Sequence, residues 1–218
     1  SQPGFVVLTG PLPAGKDDND PLSYAYDERI VPRPYDPTSA KVLLTLATRQ
    51  VRAKAKGDIP ELGELVLAFP AMDTAQIACE SIARQLKLVG IKVSLRALAD
   101  GHTSPADDNW DLLYVEVLMQ EPIVDVLRVL ASDGLIRNPS VYVDAALDKV
   151  SQATSWEQAR NRLHALHRVA HDETIVISLW QTVVHFAHRS HVRGIGAEPV
   201  TLYQNVEQWR TVQLASES

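Results

Sequence analysis

The segment from residue 65 to residue 95 constrains the fold more than any other part of this sequence. Residues 65–69 (LVLAF) form a short apolar run closed by Pro70, which predicts a buried strand. Residues 75–89 then repeat apolar side chains at helical spacing, and residues 91–95 (IKVSL) alternate as a second strand after Gly90. A strand–helix–strand unit of this kind predicts parallel strands joined by a right-handed crossover. The chain is therefore expected to be an α/β protein.

The elements around this unit extend the same pattern. Asp36 and Pro37 predict the start of a helix that runs toward Lys56 and ends at Gly57. Residues 111–118 are nearly all apolar, which predicts a strand in the centre of a parallel sheet. Helices are predicted at 122–132, 142–153 and 155–172, and further strands at 175–180 and 183–187. Alternating strands and helices predict a mainly parallel sheet flanked by helices.

Composition excludes several classes of function. The 218 residues include 21 basic and 27 acidic side chains without a basic cluster, so nucleic-acid binding has no electrostatic basis. No run of about 18 apolar residues exists, and no transmembrane helix is predicted. Residues 1–10 lack the basic region of a secretory signal, so export would need a signal upstream of them. Cys79 is the single cysteine, and its apolar neighbours predict an inert core thiol.

Several landmarks follow one another in a recognisable order between residues 34 and 194. They are residues 34–44 (PYDPTSAKVLL), 64–69 (ELVLAF), 83–93 (ARQLKLVGIKV), 110–113 (WDLL), 121–122 (EP), 138–139 (NP) with 143–148 (VDAALD), 177–181 (ISLWQ) and 192–194 (VRG). Each piece is common by itself. As an ordered series, they resemble the family 5 extracellular solute-binding proteins, which are the oligopeptide-, dipeptide- and nickel-binding proteins of ABC importers.

This resemblance implies the carboxy-terminal lobe of such a protein, with a periplasmic-binding-protein type II-like fold. Residues 1–36 are then an irregular lead-in from a missing lobe or hinge, 37–195 the α/β ligand-binding lobe, and 196–218 a return segment. The lobe would form one wall of a clamshell cleft for a peptide or related small solute. The implied partners are the missing amino-terminal lobe and an ABC permease. The implied location is periplasmic or extracytoplasmic, with anchoring through an amino-terminal lipid left open.

Candidate ligand-binding residues lie where predicted strands end, because ligands of open α/β sheets bind outside the carboxyl ends of the strands. They are Glu116, Met119, Gln120, Trp180 and Gln181. An aromatic face and an amide beside a cleft suit a polar ligand. The alternative, that Trp180 packs in the core and Gln181 begins a turn, is equally open.

The resemblance is incomplete just before the acidic–Pro pair at residues 121–122. Oligopeptide- and dipeptide-binding relatives usually carry a Trp and then an acidic residue there, and the acid holds the ligand's amino group. Residues 115–120 (VEVLMQ) contain no Trp, and Leu118 stands where the acid is expected. Glu116 is the alternative anchor.

Six of the seven histidines fall into two groups, which are His164, His167 and His171, and then His185, His188 and His191. Imidazoles one and two helical turns apart can share a metal ion. No carboxylate completes a known metal motif, so surface histidines without a metal are the favoured interpretation.

Neither catalysis nor a cofactor is predicted. Ser178 and Ser190 lack a nucleophile elbow, and no glycine-rich phosphate loop occurs among the 10 glycines. A binding module is therefore favoured over an enzyme. Two alternatives to transport stay open, namely a ligand-sensing domain of a transcription regulator and a degenerate interaction scaffold.

Overall fold

The computed structural model describes residues 5–15, 20–54, 63–136, 139–182, 187–196 and 203–212. These residues contain five α-helices, which are α1 (Pro37–Lys54), α2 (Asp73–Leu88), α3 (Pro122–Leu130), α4 (Val141–Ser151) and α5 (Trp156–Glu173). Their strands are β1 (Phe5–Val6), β2 (Leu65–Phe69), β3 (Val93–Ala97), β4 (Leu112–Leu113), β5 (Gln181–Thr182), β6 (Val192–Arg193) and β7 (Arg210–Thr211). The chain divides into unit 1 (Ser1–Arg33 and Leu118–Ser218) and unit 2 (Pro34–Val117).

Unit 2 is built on the predicted strand–helix–strand segment. Strand β2 lies between β3 and β4 and pairs with both in parallel. Its carboxyl half, Leu67–Phe69, is buried, and α2 turns Ala75, Ala78 and Cys79 inward. Gly90 follows α2 with φ 97°, a left-handed conformation that ends the helix. The α/β class with a parallel sheet flanked by helices is confirmed.

The prediction of a long central strand at 111–118 is wrong. β4 spans two residues and lies at an edge of the described sheet, beside β2. The Asp111 carboxylate accepts the Val66 N–H at 2.7 Å, and the Tyr114 N–H donates to the Ala68 carbonyl at 2.8 Å. Beyond Tyr114 the chain leaves β2, and Val117 and Leu118 are exposed. Apolar sequence was therefore a poor guide to burial here.

Helix α1 begins as predicted but packs differently. Asp36 accepts hydrogen bonds from the Ser39 N–H at 2.9 Å and the Ser39 hydroxyl at 2.6 Å, which closes the first turn. Unlike the other four described helices, α1 has no buried residue. The predicted end at Lys56–Gly57 lies outside the described residues.

Unit 1 has a core of helices α3, α4 and α5. Ser140 and Ser155 cap α4 and α5, since each hydroxyl accepts a backbone N–H from the first turn. The buried residues that form this core are Leu12, Ala25, Val126, Val129, Leu130, Val143, Ala146, Leu147, Val150, Leu163, Leu166 and Ala170. The three predicted helices are confirmed, with bounds that differ by one or two residues.

The amino-terminal segment is tied into this core by buried polar groups. The Asp27 carboxylate is almost inaccessible to solvent and accepts hydrogen bonds from Arg29 at 2.7 Å and from Arg168 of α5 at 3.0 Å. These guanidinium groups hold the pKa of Asp27 well below its usual range, against the opposing effect of burial. The described part of residues 1–33 thus contributes to unit 1. Its origin in a missing lobe stays a prediction.

His167 of α5 is fully buried beside Asp27, so its interpretation as a surface histidine is wrong. Its Nδ1 accepts the Asp27 N–H at 3.1 Å, which leaves the proton on Nε2, 3.0 Å from the Thr9 hydroxyl. Gly10 packs on this ring so closely that a Cβ there would lie 2.3 Å from Cδ2 of the imidazole. The neutral ring is therefore enclosed by both bonding and packing.

The strand predicted at 175–180 is also absent. These residues form no regular element, and Ile177 is exposed. Strand pairing begins one residue later, at Gln181. Strand β5 runs antiparallel to β1 there, with Val6 opposite Gln181. The strand predicted at 183–187 lies largely outside the described residues. β6 and β7 form a second antiparallel pair. The boundaries predicted for residues 37–195 and 196–218 stay predictions.

No helix within the described ranges is long and apolar enough to cross a membrane.

Candidate ligand-binding residues

In unit 2, the carboxyl ends of all three parallel strands meet at one edge of the sheet. The edge is closed by buried groups, because the Leu98 N–H donates to the Phe69 carbonyl at 2.8 Å and Tyr114 is buried. Glu116 lies two residues past Tyr114 and is exposed. Burial, and secondarily the charge of Glu116, raises the pKa of Tyr114. Glu116 thus offers an accessible carboxylate beside a neutral phenol.

Cys79 lies in the same unit and is fully buried. Burial raises the pKa of its thiol to about 11, so the thiolate form is scarce at neutral pH. The predicted position of this thiol in the core is confirmed.

In unit 1, Met119 and Gln120 belong to the short segment that leads into α3. Asp125, from the first turn of α3, reaches back to accept the N–H groups of Gln120 at 2.7 Å and Glu121 at 2.9 Å. Met119 packs partly against the helical core, whereas the Gln120 side chain is exposed. The backbone hydrogen bonds hold this segment in place and leave the Gln120 amide exposed.

Glu121 is part of an aromatic cluster that the sequence did not reveal. Its carboxylate accepts the Tyr24 hydroxyl at 2.7 Å, and the Tyr24 ring lies 4.1 Å from Trp156, centroid to centroid. The His164 Nε2 donates to the Tyr24 carbonyl at 3.0 Å. Trp156 is 60% exposed despite its contact with Tyr24. Tyr24 and Trp156 lie far apart along the chain, so no local pattern could indicate this contact.

Gln181 and Trp180 are adjacent in sequence and differ in role. The Gln181 amide makes two hydrogen bonds to the backbone of Ala14, accepting its N–H at 2.8 Å and donating to its carbonyl at 3.1 Å. Trp180 is 41% exposed. The side chain of Gln181 thus joins residues 14 and 181, while that of Trp180 stays accessible.

The five candidate residues are divided between the units, with Glu116 in unit 2 and the other four in unit 1. Met119 and Gln120 share one segment, and Gln181 bonds to Ala14. The structure thus gives local geometry for each residue, and their joint role in one site stays a prediction.

The first histidine group shows three different environments on α5. His167 is buried, His164 bonds to Tyr24, and His171 lies 3.3 Å from the carboxylate of Asp172. His185 lies outside the described residues. Among the residues that are described, no group of three potential metal-ligating side chains is close enough to hold an ion.

No family model and no curated protein matches this sequence. Solved structures do match it. The oligopeptide-binding protein AppA from Bacillus subtilis, solved with a nonapeptide, is 16% identical with a TM-score of 0.67; the match covers 96% of this chain and 43% of AppA. NikZ from Campylobacter jejuni, solved with Ni(L-His), is 18% identical with a TM-score of 0.61, over 86% of this chain and 41% of NikZ.

An ABC transporter substrate-binding protein from Sinorhizobium meliloti is 21% identical with a TM-score of 0.52, over 92% of this chain and 40% of that protein. The chain thus spans less than half the length of each of these structures. At such identities the likeness shows the fold. The expectation of a partial substrate-binding-protein fold of periplasmic type II is therefore confirmed.

Proposed function

We propose that this chain is a ligand-binding lobe of an extracytoplasmic substrate-binding protein that serves an ABC importer. The observation that carries the proposal is the AppA match, in which nearly the whole chain follows less than half of a peptide-binding protein. A lobe of this kind binds and releases a solute and performs no catalysis. Its partners are a second lobe and a membrane permease.

Glu116, Met119, Gln120, Trp180 and Gln181 are the proposed ligand-facing residues. Three of them offer accessible groups of different chemistry, namely the Glu116 carboxylate, the Gln120 amide and the Trp180 ring. A carboxylate, an amide and an aromatic ring are groups that suit a peptide or another small polar solute. Gln181 contributes by fixing its neighbour Trp180, because its own amide bonds to Ala14.

Domain closure is part of the proposed mechanism. A two-lobed binder gains affinity when hinge motion encloses the ligand between both lobes. A single lobe supplies only some of these contacts. The 218-residue chain alone is therefore expected to bind much more weakly than a complete gene product with both lobes.

The test uses that complete gene product, freed of bound solute by reversible unfolding in urea. A degenerate nonapeptide pool and nickel–histidine are then added separately, and the thermal midpoint is measured. Trp180→Ala is expected to weaken binding by at least about tenfold, as loss of a central aromatic contact does. The matched control is Trp156→Ala, which removes another exposed tryptophan and should leave binding unchanged.

Two results would count against the proposal. One is the absence of any stabilisation by either class of solute. The other is recovery of the protein in the cytosol by cell fractionation, which would favour the sensor domain of a transcription regulator or an interaction scaffold.

A further inference from the structure

Helix α1 lacks the packing that normally stabilises a helix of its length. It spans 18 residues, and none of them is buried. Isolated helices are marginal in water, and most helices depend on an apolar face covered by other parts of the protein. Val42, Leu43, Leu46 and Val51 of α1 are instead 55%, 65%, 48% and 55% exposed. The helix therefore presents an apolar surface without a cover among the described residues.

Val42, Leu43 and Leu46 form a defined face, whereas Val51 lies on the opposite side of the helix, near Leu44. At 100° per residue, Val42, Leu46 and Ala53 point within about 40° of one another, and Leu43 lies about 60° further round. Leu44 points to the opposite side and faces Gly90, where a Cβ would be 3.9 Å from its Cδ2 atom. The rest of unit 2 thus lies on the Leu44 side of α1, and the face with Leu43 and Leu46 points to solvent.

The charges of α1 differ from those of the rest of the chain. The helix holds four of the 21 basic residues and none of the 27 acidic residues, in a chain of net charge −6. On a helical projection, Lys41, Arg49 and Arg52 lie along one edge of the exposed apolar face, and Lys54 lies along the other. The apolar face is thus bordered by cations on both sides.

We propose that this face of α1 docks on an anionic membrane surface. An interfacial helix buries a narrow apolar face at the headgroup boundary while Lys and Arg on its flanks extend to anionic headgroups. Tyr35, exposed just before the first turn, is the type of aromatic residue that lies at such interfaces. A second copy of α1 is a poor partner because it brings the same positive charges. This inference does not depend on the proposed ligand-binding function.

The test is co-flotation of the 218-residue chain with vesicles. Phosphatidylcholine vesicles are compared with vesicles in which about one third of the lipid is phosphatidylglycerol. We expect at least about tenfold stronger partitioning onto the anionic vesicles at low salt, since each cation near such a surface adds about fivefold. The preference should largely disappear at about 1 M salt, where the Debye length falls to about 3 Å.

Two double variants of α1 test whether this helix makes the contact with the vesicle surface. Leu43→Glu with Leu46→Glu removes the apolar face, and Arg49→Glu with Arg52→Glu reverses one charged edge. All four side chains are exposed, so circular dichroism should show retained folding. Each pair is expected to lower partitioning onto anionic vesicles at least about tenfold. The matched control is Val141→Glu with Tyr142→Glu, two exposed residues at the start of α4.

The possible results separate clearly. Loss in both α1 variants, with the control unchanged, supports the docking face. Equal partitioning onto neutral and anionic vesicles overturns the proposal, and so does an equal loss in the α4 control. Failure of the chain to float with either vesicle also overturns it, even if the same face is then found to bind an acidic protein.

Discussion

Helices α1 and α5 have the same length and are stabilised in opposite ways. Both span 18 residues. Helix α5 buries Ala159, Leu163, Leu166, His167 and Ala170 in unit 1, whereas α1 buries none of its side chains. Each helix begins with a polar residue that accepts hydrogen bonds from the first turn. The comparison shows that capping and helix propensity determine where a helix starts, while tertiary contacts determine how stable it is.

The largest expected effect comes from truncating a leucine in each helix. Leu163→Ala should lower the free energy of unfolding by about 2–5 kcal/mol, because it removes a fully buried side chain and leaves a cavity. Leu46→Ala in α1 should change it by less than about 0.5 kcal/mol, since that side chain is half-exposed. Urea unfolding measures both. Similar losses in the two variants would show that α1 is covered in solution.

Lowering the pH is expected to destabilise the protein through His167, which is buried on α5. Burial lowers the pKa of His167 to about 4, with the charges of His171 and His164 acting in the same direction and that of Asp27 opposing them. Between about pH 6.5 and pH 4 the unfolded chain binds a proton at this residue that the folded chain does not. Stability is therefore present above pH 6.5 and declines by about 3 kcal/mol as pH falls to 4.

The measurement is urea unfolding at several pH values between 7 and 4, on the natural chain and on His167→Gln. The variant is expected to be less stable at pH 7 and to lose less stability on acidification. The difference between the two pH dependences of stability reports the contribution of His167, including its charge interactions with Asp27, His164 and His171. If the free energy of unfolding falls with pH equally in both proteins, His167 is not the cause of the acid destabilisation.

The smallest expected effects come from the two caps. Ser155→Ala removes the hydroxyl that accepts the Gln158 N–H at 3.2 Å and should lower global stability by about 1 kcal/mol. Asp36→Ala removes the corresponding acceptor in α1. Because α1 buries nothing, we expect faster amide hydrogen exchange within α1 and little change in the global unfolding midpoint. A global loss as large as that of Ser155→Ala would contradict this difference.

Local signals were sufficient to predict most helices and β2. Residues 65–69 were predicted and observed as a strand, and the left-handed Gly90 ends α2 as expected. The fold that the family landmarks imply is also the fold of the solved structures that match this chain. These features depend on residues within one or two turns of one another, which is the range over which propensity, capping and periodicity act.

Features that depend on distant residues were not predictable. β5 forms because Gln181 meets Val6, which lies at the other end of the chain. The burial of His167 depends on Thr9, Gly10 and Asp27, and its helical position gave no indication of them. The contact of Trp156 with Tyr24 likewise joins residues that lie far apart in the sequence. For the candidate site, the sequence indicated individual residues, but their surroundings required the tertiary structure.

The hydrogen bond between Arg168 and Asp27 also has a consequence for biosynthesis. The two residues are 141 positions apart, and all of unit 2 lies between them in the sequence. At about 5–20 residues per second, a ribosome needs about 7–30 s to reach Arg168 after completing Asp27. During that interval Asp27 lacks its partner on α5, and Leu12 lacks most of the helical core in which it is buried. Unit 2 is continuous and lies between the two residues, so it can complete its sheet before Asp27 meets Arg168.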